Sequence, residues 1–254
     1  MSDGIIDIHS HTLWQIDDGS PDLEETVDMC RLAYDSGTDI LFMTPHLMYW
    51  ENAEELYDER NEKCEIIREI LADIGIPLKI KKGFEILCDD DIFQIKYLNP
   101  YTLCDSRYLL IEFDFFKPTV DDVISWCSYI IKSGFVPIIA HPERYKFMQT
   151  NPGCMDMLSD MGVLFQMNSG SAAGVFGRAC REFALNMINK GFVDFIGSDA
   201  HDVLMRSTDI ALSFDNYPDD INMDLLNKAA KENPFSIIEN KQINVNRIMH
   251  FAEI

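Results

Sequence analysis

His9 and His11 stand two apart in Asp7-Ile8-His9-Ser10-His11-Thr12, directly after the apolar pair Ile5-Ile6. Alternate residues of a strand point to one side, so the two imidazoles can hold one metal ion between them. Three later stretches repeat the design of an apolar run ending in His, Asp or Glu: Ile40 to His46, Val136 to His141, and Val193-Asp194-Phe195-Ile196-Gly197-Ser198-Asp199-Ala200-His201. A single histidine after such a run is ordinarily a hydrogen-bonded core or turn residue, and an HxH pair also arises by chance on solvated strands. Five of the six histidines at equivalent places point instead to one shared metal site. His250 falls outside the pattern and is expected to be structural.

The carboxylates follow the same rule. Glu85 comes just past the run Leu78 to Lys82, Glu112 ends the run Tyr108 to Ile111, and in Asp17-Asp18-Gly19 two acids compete for one ligand role. The candidate ligands are His9, His11, Asp18, His46, Glu85, Glu112, His141, Asp199 and His201. Nitrogen and carboxylate donors without thiolate suit Mn, Fe or Zn, and nine donors are too many for one ion. Four carboxylates are neutralised by two divalent ions, whereas three ions leave about +2, which matches a phosphate dianion.

Composition narrows the classes. Lys and Arg number 21 against 43 Asp and Glu, a formal charge of −22, and such a surface repels a nucleic-acid backbone. The seven cysteines are odd in number, scattered, and without a CxxC pair, which argues against a disulfide framework and for a reducing, cytoplasmic location. None begins a Cys-x5-Arg loop of the thiol phosphatase kind. The N-terminus lacks the basic and apolar regions of a signal peptide, and no segment has the length to cross a bilayer.

Helices alternate with these runs. Ser20 and Pro21 read as the cap and first position of a helix that Gly37 ends; a long charged helix spans Ala53 to Ile74, and others span Val120 to Ser133, Met155 to Met161, and Gly174 to Lys190. The tail from Asp209 reads as helical and polar. Alternation of this kind implies parallel strands with right-handed crossovers, and about seven units suit a closed barrel of one domain, residues 1–254. In barrels the chemistry gathers at the C-terminal ends of the strands, where every candidate ligand falls.

In order and spacing these stretches resemble the PHP superfamily, and within it the bacterial metal-dependent tyrosine-protein phosphatases of capsule and exopolysaccharide loci. The resemblance runs through Asp7 to His11, Asp17-Asp18-Gly19, the His46 stretch, Glu85, Asp105 to Phe113, Ala140-His141-Pro142-Glu143-Arg144-Tyr145, Asn168-Ser169, and Ser198 to His201. It implies an irregular seven-stranded TIM-like (β/α)7 barrel, the PHP fold, with two or three divalent ions, Mn first among them. His9, His11, Glu85 and Asp199 would hold one ion, with Glu85 bridging to a second held by Glu112 and His141. Asp18, His46 and His201 would hold the third. Arg144 and Arg206 would bind phosphate through the guanidinium fork, although Met205-Arg206 stands where relatives have Gly-Arg.

The implied activity is hydrolysis of phosphotyrosine by a metal-activated hydroxide, with no covalent intermediate. The implied substrate is a phosphotyrosine protein, the C-terminal tail of a bacterial tyrosine kinase that controls capsule or exopolysaccharide synthesis. Trp14, Tyr49, Trp50, Phe115, Phe116 and Tyr145 are candidates to line a slot for the phenolic ring. Two other readings compete: a small-molecule phosphatase of the same superfamily, such as one for histidinol phosphate, and a phosphoprotein-binding regulator without turnover.

Overall fold

A computed structural model of the chain describes residues 4–218, 221–245 and 247–251. Nine short strands carry the architecture: β1 Ile5–Asp7, β2 Thr38–Met43, β3 His46–Leu47, β4 Lys79–Lys82, β5 Glu85–Leu87, β6 Tyr108–Glu112, β7 Val136–Ala140, β8 Leu164–Asn168 and β9 Phe195–Gly197. All pair in parallel, as the alternation with helices requires. The longest helices are α1 Leu23–Asp35, α2 Ala53–Asp73, α3 Val120–Lys132 and α4 Arg178–Lys190.

The strands do not form the expected closed seven-stranded barrel. They make two sheets, a three-stranded one ordered β1-β2-β4 and a curled six-stranded half-barrel ordered β3-β5-β6-β7-β8-β9. Two stretches that read as one strand each, Ile40 to Thr44 and Leu78 to Lys82, are each followed by a break and a second short strand. Pro45, which has no N–H for a ladder, separates β2 from β3, and Gly83-Phe84 separates β4 from β5. Across the breaks Gly83 N donates to Met43 O and Glu85 N to Pro45 O, both at 3.1 Å, so each chain steps from one sheet to the other. On the opposite side β1 and β9 approach without pairing as strands; beyond their ends the backbone bridge Ser10–Ala200 joins them, with His11 N donating to Ala200 O and Asp199 N to His9 O, both at 2.8 Å. Gly197 permits that approach, because a Cβ there would lie 2.6 Å from His9 Cβ.

Packing follows the period of two. Leu110, Ile138 and Ala140 face inward with Ile6, Ile8, Ile40 and Phe42 of the smaller sheet, whereas Leu109, Ile111, Ile139 and Phe165 face outward among the side chains of α3 and α4. Both faces are buried, which explains why the strands read as continuous apolar runs.

The helices stand close to their expected bounds. The cap of α1 is Asp22, whose side chain accepts from Glu25 N at 3.0 Å, rather than Ser20, which donates to Asp22 O instead. The tail is helical only in part. Short helical segments run to Ile238, and the irregular chain beyond returns past the start of β6, where Arg107 N donates to Asn240 Oδ1 at 3.0 Å and Tyr108 Oη to Lys241 O. Further along, Arg247 makes a two-pronged pair with Asp194 at 3.0 Å and lies 4.5 Å from the Phe192 ring centroid. Arg247→Ala would leave a buried carboxylate unpaired, so it is expected to cost about 3 kcal/mol, read as a lowered urea midpoint. An unchanged midpoint would show the tail to be dispensable.

Candidate metal centre

Each sequence-selected donor reaches the same end of the sheets. His9 and His11 come just past β1, His46 and Glu85 open β3 and β5, Glu112 closes β6, His141 follows β7, and Asp199 and His201 follow β9. His141 and Asp199 take left-handed backbone, with φ of 37° and 52°. Such φ values are uncommon outside glycine and cluster at functional sites. His9, His11 and Glu85 are fully buried, and Asp199 and His141 nearly so.

Three groups of donors have their ligand atoms within 4.8 Å of one another: His9, His11, Glu85 and Asp199; His11, Asp18, His46 and His201; and His46, Glu85 and Glu112. The first matches the expected set. The second adds His11 to the expected trio, and the third has His46 where His141 was expected. His141 Nε2 lies instead 2.8 Å from Glu85 Oε1, on the other oxygen of the same carboxylate. Asp18 Oδ1 is 3.4 Å from both His46 Nε2 and His201 Nε2, while Asp17 sits behind the cluster, its Oδ2 2.7 Å from His11 Nδ1. Of the two adjacent acids, Asp18 faces the donors and Asp17 orients one of them. His250 lies apart, 3.4 Å from Asp156.

The donors fit metal ions. Glu85 Oε2 is buried with no aligned hydrogen bond, yet His9 Nε2 and His11 Nε2 stand 3.2 Å away and His46 Nδ1 3.1 Å. Atoms so placed face a common centre rather than one another. Three imidazoles are also held from behind: His9 Nδ1 by Gln166 Oε1 at 2.8 Å, His11 Nδ1 by Asp17, and His201 Nδ1 by the Asp199 carbonyl at 3.0 Å. That leaves each Nε2 lone pair pointing inward, the arrangement by which outer groups orient metal-binding histidines.

Electrostatics agree. Burial opposes charge on His9, but the Glu85 and Asp199 carboxylates outweigh it and raise its pKa. Burial and His46 oppose charge on His11, yet Asp17 and Glu85 raise it to about 9. Burial likewise opposes charge on His46, and Asp18, Glu112 and Glu85 prevail. Without ions, then, His11 and His46 hold protons at neutral pH, and an incoming ion must displace them. Binding of Mn²⁺ is expected to release protons, with apparent affinity still rising with pH through about 9, where His11 titrates. Calorimetry in buffers of different ionisation enthalpy reads the number released, and heats independent of the buffer would contradict it.

The two arginines converge on Asp199. Arg144 Nη1 donates to its Oδ2 at 2.8 Å and Arg206 Nη2 lies 2.5 Å from the same oxygen, where Asn168 Nδ2 also donates at 2.6 Å. Its Oδ1 remains turned toward His9 and His11, 3.6 and 3.5 Å away. Sequence reasoning named these arginines and Asn168 but gave Gln166 no part. Gln166 carried a signal, being a polar residue inside an apolar strand; its Nε2 passes the network on to Asn168 Oδ1 at 2.9 Å. Asp7, quoted only within its motif, accepts from Ser198 Oγ and N and fastens the β1 end to the β9 end.

A cleft of about 560 Å³ opens directly from Asp18, His46 and Glu112, walled by Met48, Tyr49, Phe115 and Phe116. Three of the six aromatics singled out in the sequence therefore line it. Trp14 packs under Lys63, Trp50 against Tyr101, and Tyr145 is fully buried, accepting from Phe113 N.

Parallel α/β sheets whose strand ends gather nitrogen and carboxylate donors into adjoining clusters define a protein with side-chain groups that could hold metal, and two arginines beside them. Comparison with known proteins agrees. The family described as "Capsular polysaccharide synthesis, CpsB/CapC" matches residues 5–239, and the chain belongs to it. The tyrosine-protein phosphatase YwqE of Bacillus subtilis (strain 168) is 31% identical over 208 residues, 80% of each chain. The tyrosine-protein phosphatase CpsB of Streptococcus pneumoniae is 30% identical over 219 residues, 83% of this chain and 88% of its own. Crystal structures of YwqE and CpsB, described as unique metal-dependent tyrosine phosphatases, supply a chain that superposes with a TM-score of 0.77 at 29% identity, covering 95% of this chain and 97% of that one.

Proposed function

We propose that this chain is a metal-dependent phosphotyrosine-protein phosphatase built as a single domain. The observation that carries the reading is the joining of the donor cluster to the aromatic cleft: Asp18, His46 and Glu112 belong to both. A phenyl phosphate fits such a junction, its ring between Tyr49, Phe115 and Phe116 and its phosphate against the cluster. The relatives named tyrosine-protein phosphatases support the substrate class.

In this reading His9, His11, Glu85 and Asp199 hold one ion, Glu85, Glu112 and His141 a second, and Asp18, His46 and His201 the third. Bound divalent ions, with Mn²⁺ the first choice for these donors, would acidify a coordinated water and neutralise phosphoryl oxygens. The chain itself does the rest. Arg144 and Arg206 present guanidinium N–H groups to the phosphate, Asp17 and Gln166 keep the imidazoles in register, and the cleft walls exclude water from the ring. Tyrosinate, with a pKa of ~10, leaves with little help from an acid. The protein partner is the tyrosine-rich tail of a kinase acting in capsule or exopolysaccharide synthesis, and the location cytoplasmic, which seven free thiols support. No helix among the described residues is long and apolar enough to cross a membrane.

The test is phosphate release from a phosphotyrosine peptide by metal-stripped protein before and after Mn²⁺, beside histidinol phosphate under the same conditions. Mn²⁺-dependent release from the peptide is the expected result. Faster turnover of histidinol phosphate would move the assignment to a small-molecule phosphatase, and bound metal with no turnover of either to a regulator.

A further inference from the structure

Arg144 is held by more than its ion pair. Its guanidinium carbon lies 4.5 Å from the centroid of the Phe176 ring and 5.0 Å from that of Phe115. The rings come from separate parts of the chain: Phe115 follows β6, and Phe176 stands in a tight turn after the short helix Ser169–Ala173. Gly174 and Gly177 bracket that turn with φ of 97° and 89°, backbone that favours glycine. Gly170 lets it fold back, because a Cβ there would lie 3.1 Å from Val175 Cγ2 and 3.7 Å from the Phe176 ring. Glu143, fully buried beside Arg144 in sequence, accepts from Asn168 N at 3.0 Å and Ser171 Oγ at 2.6 Å. One carboxylate thus ties the turn bearing Arg144 to the helix that leads into Phe176.

We propose that Phe115 and Phe176 form an aromatic clamp on Arg144, with Phe176 a positioning residue that fixes where the guanidinium directs its remaining N–H groups. A guanidinium is planar, stacks on rings through its faces and donates through its edge. Two rings and the Asp199 bond therefore hold the guanidinium at three points beside the donor cluster. Without them the same charge would be present on a swinging stem, and phosphoryl chemistry depends on position as much as on charge. The catalytic consequence rests on the phosphatase reading; the clamp itself rests on the geometry.

Two measurements test it. In metal-free protein, the Arg144 side-chain resonances, assigned with Arg144→Lys, are expected to be shifted upfield by the rings and to lose that shift in Phe176→Leu. In Mn²⁺-loaded protein, Phe176→Leu is expected to weaken inhibition by inorganic phosphate and lower kcat/KM on a phosphotyrosine peptide, each roughly fivefold, the scale of one partly exposed cation–π contact. Phe176→Tyr, which restores a ring face, recovers most of the loss, and in an Arg144→Ala background Phe176→Leu changes nothing further. Unshifted Arg144 resonances in the parent protein, or an equal loss with and without Arg144, would overturn the clamp. If the parent protein releases no phosphate from the peptide, the phosphatase reading fails, and the clamp is still decided by the resonances and by binding of inorganic phosphate.

Discussion

Glu85→Gln is expected to lower Mn²⁺-dependent phosphate release by on the order of 10³-fold or more while leaving the chain folded. Substitutions in the layer behind metal ligands already cost roughly ten- to a hundredfold, and Glu85 is at the centre of the cluster. One of its oxygens faces His9, His11 and His46 at 3.1 to 3.2 Å, and the other lies 2.8 Å from His141. It belongs to two of the three donor groups. Glutamine keeps the shape but replaces one oxygen by an N–H donor and removes the negative charge, so both donor groups it joins would hold metal more weakly. Metal analysis of the purified variant should find fewer ions per chain. Full activity with full metal content would remove Glu85 from the centre of the site.

Chelation should have the second large effect. Dialysis against a chelator is expected to abolish release and to lower Tm by about 10 °C, both restored by Mn²⁺. A ligand present at a thousand times its dissociation constant stabilises by about 4 kcal/mol, and in a chain of this size each kcal/mol moves Tm by about 2–4 °C. The carboxylates would not be left bare, because His11 and His46 take up protons in place of ions. The fold should therefore survive, loosened. Activity persisting in protein shown to be metal-free would end the metal-dependent reading.

Most of the donor set was legible in the chain because each member ends an apolar run, and runs of that kind become parallel strands with their ends on one side. The closed ring was not, because it counts each run as one strand. That Pro45 and Gly83-Phe84 divide two of them is a matter of which neighbour supplies the next hydrogen bond, and pairing partners lie far apart in sequence. Asp17 and Asp18 could not be separated by type or spacing; the turn at Gly19 alone decides which points inward. Trp14 stood close to the motif yet packs under Lys63, since proximity in sequence says little about which wall of a cleft a ring joins. Phe176 gave no signal at all, being one aromatic among sixteen phenylalanines in a loop between two helices.

The gap between β1 and β9 gives the donors a second meaning. His9 and His11 extend from the smaller sheet, whereas His46, Glu85, Glu112, His141 and Asp199 extend from the half-barrel. Ions seated among them would work as a keystone, carrying load across a joint that the backbone spans with one bridge at Ser10 and Ala200. In an unbroken ring the same ions would supply chemistry alone. The grip on metal and the stiffness of the scaffold would then be one property, and a distant change that lets the sheets part should appear as weakened metal affinity before it appears as unfolding.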